Sequence, residues 1–256
     1  MIKIPTLDLI RDLNPSWLPE SIILLGPTGS RAYGTATADS DEDYKGIVIP
    51  PIDYYLGLNS FSEYNNTGGK NHKNTKDDVD LTLIHLTKFV KDAMAGVPNN
   101  IEMLFLPIDQ YLLLTEEGEQ LIKARHLFLS KQIIKKFGGF VRSQTMSLKK
   151  SNRKALLDKF DYDVKAFYQA VRLSVSAIEI LTTGDYSTHR GKDIPLLLDC
   201  RSGKYAFGEA IDLLNQLEED LQASFEMTTL PEEPDRDAVN KLLIDLNFSA
   251  VRQLVS

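Results

Sequence analysis

The sequence predicts an α+β protein, with a small mixed sheet and covering helices over residues 1–110 and an all-helical segment over 111–256. Two patterns predict it. Short apolar runs bounded by glycine, proline or aspartate recur up to about residue 85, as half-buried and buried strands do. After about residue 115 the apolar residues recur at helical spacing, with few β-branched runs between them.

Taken in order, residues 5–13 predict a short helix stopped by Asn14-Pro15. Ser21-Ile-Ile-Leu-Leu-Gly26 predicts a buried strand, and Gly26-Pro-Thr-Gly-Ser30 the turn that ends it. Residues 31–36 read as the start of a short helix. Tyr44-Lys-Gly-Ile-Val-Ile49 is a second strand, closed by Pro50-Pro51. The polar stretch Asn65 to Asp78 reads as a mobile loop. Val79 to Ile84 alternates like a third strand, and a helix over Leu86–Ala95 ends at Gly96. Asn99-Asn-Ile-Glu102 has the spacing of a capping box. Long amphipathic stretches then cover roughly 130–155, 162–183, 206–225 and 235–254, with Thr183-Gly184-Asp185 as a stop and Asp235 as an N-cap.

Composition narrows the function. The chain has 256 residues, 43% hydrophobic and 25% charged, with a net charge of −7. That argues against a generally basic nucleic-acid coat protein but leaves a local site open. One cysteine, Cys200, excludes an internal disulfide and reads as a small core residue. Four scattered histidines offer no zinc pattern, and His85 reads as packing at a strand–helix junction. No apolar run of about 18 residues suggests a membrane span, so a cytoplasmic protein (host cytoplasm if phage-encoded) is the expectation. Charge is segregated along the chain. Eleven basic residues between Lys123 and Lys159 face only Asp158, whereas ten acids between Glu209 and Val239 face only Arg236. The basic segment suits a polyanion or a solvated helix face.

The chemistry-bearing residues lie in the first segment. Transfer of a nucleotide from a triphosphate needs close donors for the phosphates and carboxylates for two metal ions about 4 Å apart. Gly29 allows close backbone approach, Ser30 adds a hydroxyl at a helix start, and Arg31 a charge. Asp41 and Asp43, two apart, share one side of a strand, while Glu42 points away. A third carboxylate is expected from a neighbouring strand: Asp80, which shares a face with Thr82, or Asp78 in reserve. Mg²⁺, or Mn²⁺, is the ion such oxygen ligands select.

Gly29-Ser-Arg-Ala-Tyr-Gly-Thr-Ala-Thr-Ala-Asp-Ser-Asp-Glu-Asp-Tyr-Lys-Gly46 closely resembles the signature of a family of predicted nucleotidyltransferases of bacteria and phages, within the DNA polymerase β superfamily. Asp80, Leu86-Thr-Lys-Phe89, Pro98-Asn99 and Glu102-Met-Leu104 resemble its next block. Tyr162-Asp-Val-Lys165, Arg172-Leu173 and Leu181-Thr-Thr-Gly184 resemble its helical half, and Gln169 stands near where many relatives carry histidine. The resemblance implies a polymerase-β-like palm over 1–110 and a helical domain over 111–256. It implies Gly29 and Ser30 at the triphosphate and Asp41, Asp43 and Asp80 at the metals. Tyr162, Lys165, Gln169 and Arg172 fall on one helix face, so Lys165 and Arg172 are expected to grip the nucleotide across a cleft, unless Lys165 pairs with Asp161. The expected reaction moves an NMP from an NTP to a hydroxyl acceptor, an RNA or tRNA end being suggested by the basic segment. The competing expectation is an inactive nucleotide- or partner-binding module of antitoxin type.

Overall fold

The computed structural model describes residues 9–11, 13–38, 40–66 and 79–253. Within them a five-stranded sheet has the order β3-β4-β2-β1-β5. Its strands are β1 (Ile22–Pro27), β2 (Glu42–Val48), β3 (Glu63–Asn65), β4 (Val79–His85) and β5 (Leu113–Leu114). The three expected strands are present. β3 and β5 are too short to leave a periodic pattern, so the sequence predicts no strand there. Neighbours pair antiparallel except β2 and β4, which are parallel. The α-helices among the described residues are α1 (Gly29–Tyr33), α2 (Asp53–Leu56), α3 (Leu86–Met94), α4 (Pro98–Leu104), α5 (Glu116–Lys123), α6 (Gln132–Ser147), α7 (Lys154–Phe160), α8 (Val164–Thr183), α9 (Ile194–Ser202), α10 (Phe207–Met227) and α11 (Arg236–Gln253).

The two faces of the sheet bury different partners. Ile22, Leu25, Val48, Leu81 and Leu83 pack with Ile10, Leu13 and Leu18 from the start of the chain. Ile23, Leu24, Ile47 and Ile84 pack under the helices. On that helix-covered face, apolar Ile47 and Ile84 give way to Asp43 and Asp80 toward the starts of β2 and β4, as period-two alternation requires. The same strand face is therefore core at one end and a polar surface at the other.

The apolar cluster under the helices also takes Leu173, Ala177 and Ile180 of α8, Leu221 of α10, and Val239 and Leu246 of α11. It crosses the expected boundary near residue 110, and β5 lies beyond that boundary. A second cluster joins the first half of α8 to Leu197, Cys200, Ala210 and Leu214. α8 serves both clusters and buries 13 of its 20 residues. Its stop is the expected one: Gly184 is left-handed, at φ 66°. Asp235 caps α11 through the amides of Asp237 and Ala238. His85 caps α3, its Nδ1 accepting from Thr87 N. The segment 67–78, with Asp78 and most of the predicted loop, lies outside the described residues, as do residues 5–8 of the predicted first helix.

α5 packs so closely on β1 that a Cβ on Gly118 would lie 2.2 Å from the Ile23 carbonyl oxygen. On α6, nothing stands within 4 Å of a Cβ built on Gly139. Gly118→Ala is expected to destabilise the fold by about 2 kcal/mol through overpacking. Gly139→Ala is expected to stabilise it by about 0.5–1 kcal/mol through helix propensity. Urea denaturation of both variants reads the opposite signs.

Candidate active site

The turn after β1 is fixed to β2 by a hydrogen bond from Thr28 N to the Asp43 carbonyl, 2.8 Å. Gly29 follows with φ +62°, and a Cβ there would lie 3.2 Å from Asp43 Oδ2. Backbone conformation and the approach of the carboxylate both call for glycine. Ser30 continues α1, a single turn that Gly34 ends at φ 77°. Arg31 folds back: it ion-pairs with Glu42 at 2.9 Å and donates to the Asp41 and Ser40 carbonyls. It braces the start of β2 beside the cleft. Glu42, further engaged by the Tyr44 hydroxyl, faces away from the other carboxylates' cavities.

Asp43 and Asp80 are direct partners in the parallel β2–β4 ladder. Adjacent strands lie about 4.8 Å apart, so the two carboxylates stand side by side. Asp41 sits just before β2 and is exposed. Burial, then the charges of Asp80 and Asp41, hold the Asp43 carboxyl above the usual carboxylate range, against Arg31. Such a set suits a hard divalent cation, being all oxygen and mutually repelling. The three are neighbours and not a closed ligand cage: among the described residues no three His, Cys, Asp or Glu side chains already stand in ion-holding geometry.

Two cavities meet at Asp43. The first, about 360 Å³, contains Asp80, Thr82, Lys45 and Thr188. Lys45 shares the strand face of Asp43. It donates to Asn100 Oδ1 at 2.6 Å, and burial lowers its pKa to about 8. The second, about 430 Å³, brings Ser30, Asp41 and Asp43 opposite Lys165, Gln169 and Arg172 of α8. Tyr162 is not among its walls; it is buried before α8 begins, its hydroxyl donating to the Tyr205 carbonyl. Lys165 is exposed, and Asp161, the alternative partner, instead pairs with Lys149.

Arg172 is deeper than a gripping residue would be. Its side chain is 4% exposed and ion-pairs with Glu102, while its Nε donates to Gln169 at 3.0 Å. Burial works against its charge, but Glu102 outweighs this and holds the guanidinium's pKa above the ordinary value. The capping-box reading of Glu102 is corrected here. α4 starts at Pro98 after Val97, with no side-chain cap. Glu102 instead accepts from Tyr33 of α1 at 2.8 Å and pairs with Arg172, whose guanidinium lies 3.9 Å from the Tyr33 ring centre. The capping signature is local, whereas the partner that claims Glu102 is 70 residues away.

The cleft also holds cations that the motif does not assign to the nucleotide. In the sequence Arg153 is only one member of the basic segment; in the fold its Nη1 bonds Asp163, the N-cap of α8. Arg201 sits at the end of α9 and donates to the Thr35 carbonyl. Nothing in the local sequence marks it, because only the packing of α9 against α8 brings it here.

A sequence model of the RNA repair pathway DNA polymerase beta family matches residues 15–245. An uncharacterized 38.9 kDa protein of the nrdC-mobD intergenic region of Enterobacteria phage T4 is 41% identical over 80 residues, which are 31% of this chain and 24% of the phage protein. No helix among the described residues is long and apolar enough to cross a membrane.

Removing one member of the Glu102–Arg172 pair strands the other as a buried charge. Arg172→Met is expected to cost about 3–5 kcal/mol. Arg172→Met with Glu102→Leu should recover a large part of it. Denaturation of the two single variants and the double variant measures the coupling, and additive losses would contradict it.

Proposed function

Since the chain belongs to the RNA repair pathway DNA polymerase beta family, a polymerase-β-like nucleotidyltransferase family, we propose that it moves an NMP from an NTP to a hydroxyl acceptor, releasing pyrophosphate, and that the acceptor is an RNA end. The observation that carries the reading is the in-register pair Asp43–Asp80, whose Asp43, with Asp41, faces a wall of cations across the cleft.

Asp41, Asp43 and Asp80 would hold Mg²⁺ or Mn²⁺. When bound, such ions neutralise charge on the reacting phosphate and activate the attacking hydroxyl. The chain's own groups do the rest. The Gly29-Ser30 turn lets backbone N–H groups and the Ser30 hydroxyl donate to phosphate oxygens, Gly29 having no side chain to block them. Lys165 reaches in from α8, with Arg153 and Arg201 flanking it, so phosphate charge lying between the turn and α8 is met from both sides. Arg172 lines the same wall, but its charge is matched by Glu102, so it holds the wall in place and does not grip the phosphates. Asp80 lies in the neighbouring cavity, where an acceptor hydroxyl would stand beside both Asp80 and Asp43. Proximity to two carboxylates orients that hydroxyl and receives its proton.

An RNA acceptor is supported by the family's place in RNA repair and by charge. Lys135, Lys136, Arg142, Lys150, Lys154 and Lys159 are exposed on α6, α7 and the turn joining them, the segment that also gives Arg153 to the cleft.

Asp41→Ala and Asp43→Ala are expected to lower metal-dependent pyrophosphate release by at least about a hundredfold, with the far-UV spectrum unchanged; wild-type turnover in both would refute the assignment. The raised pKa of Asp43 gives a second readout. Because the folded state disfavours its charge, Asp43 subtracts stability at neutral pH, and that loss disappears as pH falls through its raised pKa. Asp43→Asn without metal should therefore melt higher than wild type near pH 7, the gap closing toward acid.

For the acceptor, charge reversal at Lys135, Lys136, Lys150 and Lys154 should weaken single-stranded RNA binding at low salt. It should also flatten the log–log salt slope by about 0.7 for each phosphate that is no longer neutralised. Unchanged RNA affinity would point to a different acceptor.

A further inference from the structure

Phe140 is a residue that folding does not explain. It lies on α6, whose buried positions are Ile133 and Phe137, and it is 47% exposed. It belongs to none of the three apolar clusters. Just before it, Gly138 and Gly139 leave open space where side chains would stand. Yet its ring lines the cleft that contains Ser30, Asp41 and Lys165. Gln144 lines the same cleft one turn further along α6, on the same helix face.

The cleft thus carries three kinds of surface: phosphate donors at one wall, cations at another, and an uncovered aromatic face with an amide beside it. A flat aromatic ring attached to a polyphosphate is the ligand that uses all three. Stacking needs only a π face, which an exposed phenyl supplies, and an amide offers both a donor and an acceptor to a base edge. We infer that Phe140 is the stacking platform for the base of the nucleoside triphosphate, and that Gln144 bonds the edge of that base. This rests on the nucleotidyltransferase reading and assigns residues that the motif does not contain. The other nucleobase that could lie there is the terminal base of the RNA acceptor.

The test measures equilibrium binding of ATP, GTP, CTP and UTP, of inorganic tripolyphosphate, and of a short oligoribonucleotide, each with Mg²⁺, to wild type, Phe140→Ala and Phe140→Tyr. Phe140→Ala is expected to weaken NTP binding about five- to a hundredfold, a loss of one stacked base. Phe140→Tyr should restore it, and tripolyphosphate should bind all three alike. Phe140→Trp should give a fluorescence signal quenched by NTP and not by tripolyphosphate; Trp17, packed against Tyr54 and Phe61, should not report. Gln144→Leu should change the ranking of the four NTPs. Equal NTP affinity in wild type and Phe140→Ala overturns the platform while leaving the enzyme reading intact. Equal loss of NTP and tripolyphosphate marks a structural effect and also overturns it. Loss confined to the oligoribonucleotide gives the ring to the acceptor and overturns the NTP assignment. No binding of NTP or tripolyphosphate to wild type removes the nucleotide reading itself, and the platform with it.

Discussion

Glu102 and Arg172 meet inside the protein, where neither charge is stable alone. Glu102 comes from α4, against the sheet, and Arg172 from the middle of α8. Moving either from water into a low-dielectric interior costs several kcal/mol, which only close pairing and further hydrogen bonds offset. Here those bonds come from Tyr33 and Gln169. Tyr33 belongs to the same one-turn helix as Ser30, so the pair ties three things together: the Gly29-Ser30 turn, the sheet side of the cleft, and the helix that forms its far wall. Thr188 adds a fourth tie by donating to the Glu102 carbonyl at 2.6 Å. Apolar packing holds α8 to the sheet, but it does not specify register finely. A buried charge pair penalises a slip of even an ångström or so, because its hydrogen bonds are lost before its packing is. The width of the cleft follows from that constraint.

The parallel pairing of β2 and β4 is the second constraint. Antiparallel neighbours can be joined by a tight turn, but parallel ones need a crossover, and the chain between Val48 and Val79 supplies it. In this pairing Asp43 meets Asp80 in register, and the two side chains point to the helix-covered face. The repulsion between them, with Asp41 added, is a standing cost to the fold. It is tolerable because the polar end of each strand lies beyond the apolar core formed by Ile47 and Ile84. Carboxylates four residues further along would stand in place of Ile47 and Ile84 and have to displace that core.

Much of this is legible in the sequence because it is local. Alternation separates Asp43 from Glu42, and glycine marks the turn that opens α1 and the stop of α8. Apolar spacing places three of the four long helices within a few residues; the stretch expected over 130–155 is instead broken after Ser147, and α7 starts at Lys154. What cannot be read is what depends on distant partners. Glu102 carries a plausible local role as a capping residue, and no residue near it hints at Arg172. Arg201 is one charge at the end of a helix until α9 folds against α8. β3 and β5 are recognisable only by their partners in the sheet. The basic segment is visible as composition, but its division into exposed lysines on α6 and α7 and an Arg153 turned toward Asp163 and the cleft is a product of folding. Tyr162 shows the same limit from the other side: helical spacing puts it on the face of Lys165, but the helix starts after it, and its ring is in the core.

Net charge bears on the proposed function, since a chain at −7 would have to attract triphosphate and RNA. Long-range attraction to the whole molecule is unfavourable, and screening limits it to about 8–10 Å at physiological salt. Within that range the local distribution decides. The acids of α10 and of the segment before α11 meet part of the basic segment, Lys131 pairing with Glu232 and Lys135 and Arg142 sharing a groove with Glu218, whereas Lys165, Arg153 and Arg201 line the cleft itself. Inside it, Asp41 and Asp43 face Lys165, Arg153 and Arg201, with Asp80 in the adjoining cavity. Without a cation the carboxylates oppose an incoming polyphosphate, and with divalent ions bound the same wall becomes attractive. On the proposed function, binding of a triphosphate would thereby be conditional on the ions that its chemistry requires, a coupling that follows from charge alone. Burial, then the charges of Asp80 and Asp41, hold the Asp43 carboxyl above the usual carboxylate range, so the folded chain disfavours negative charge there.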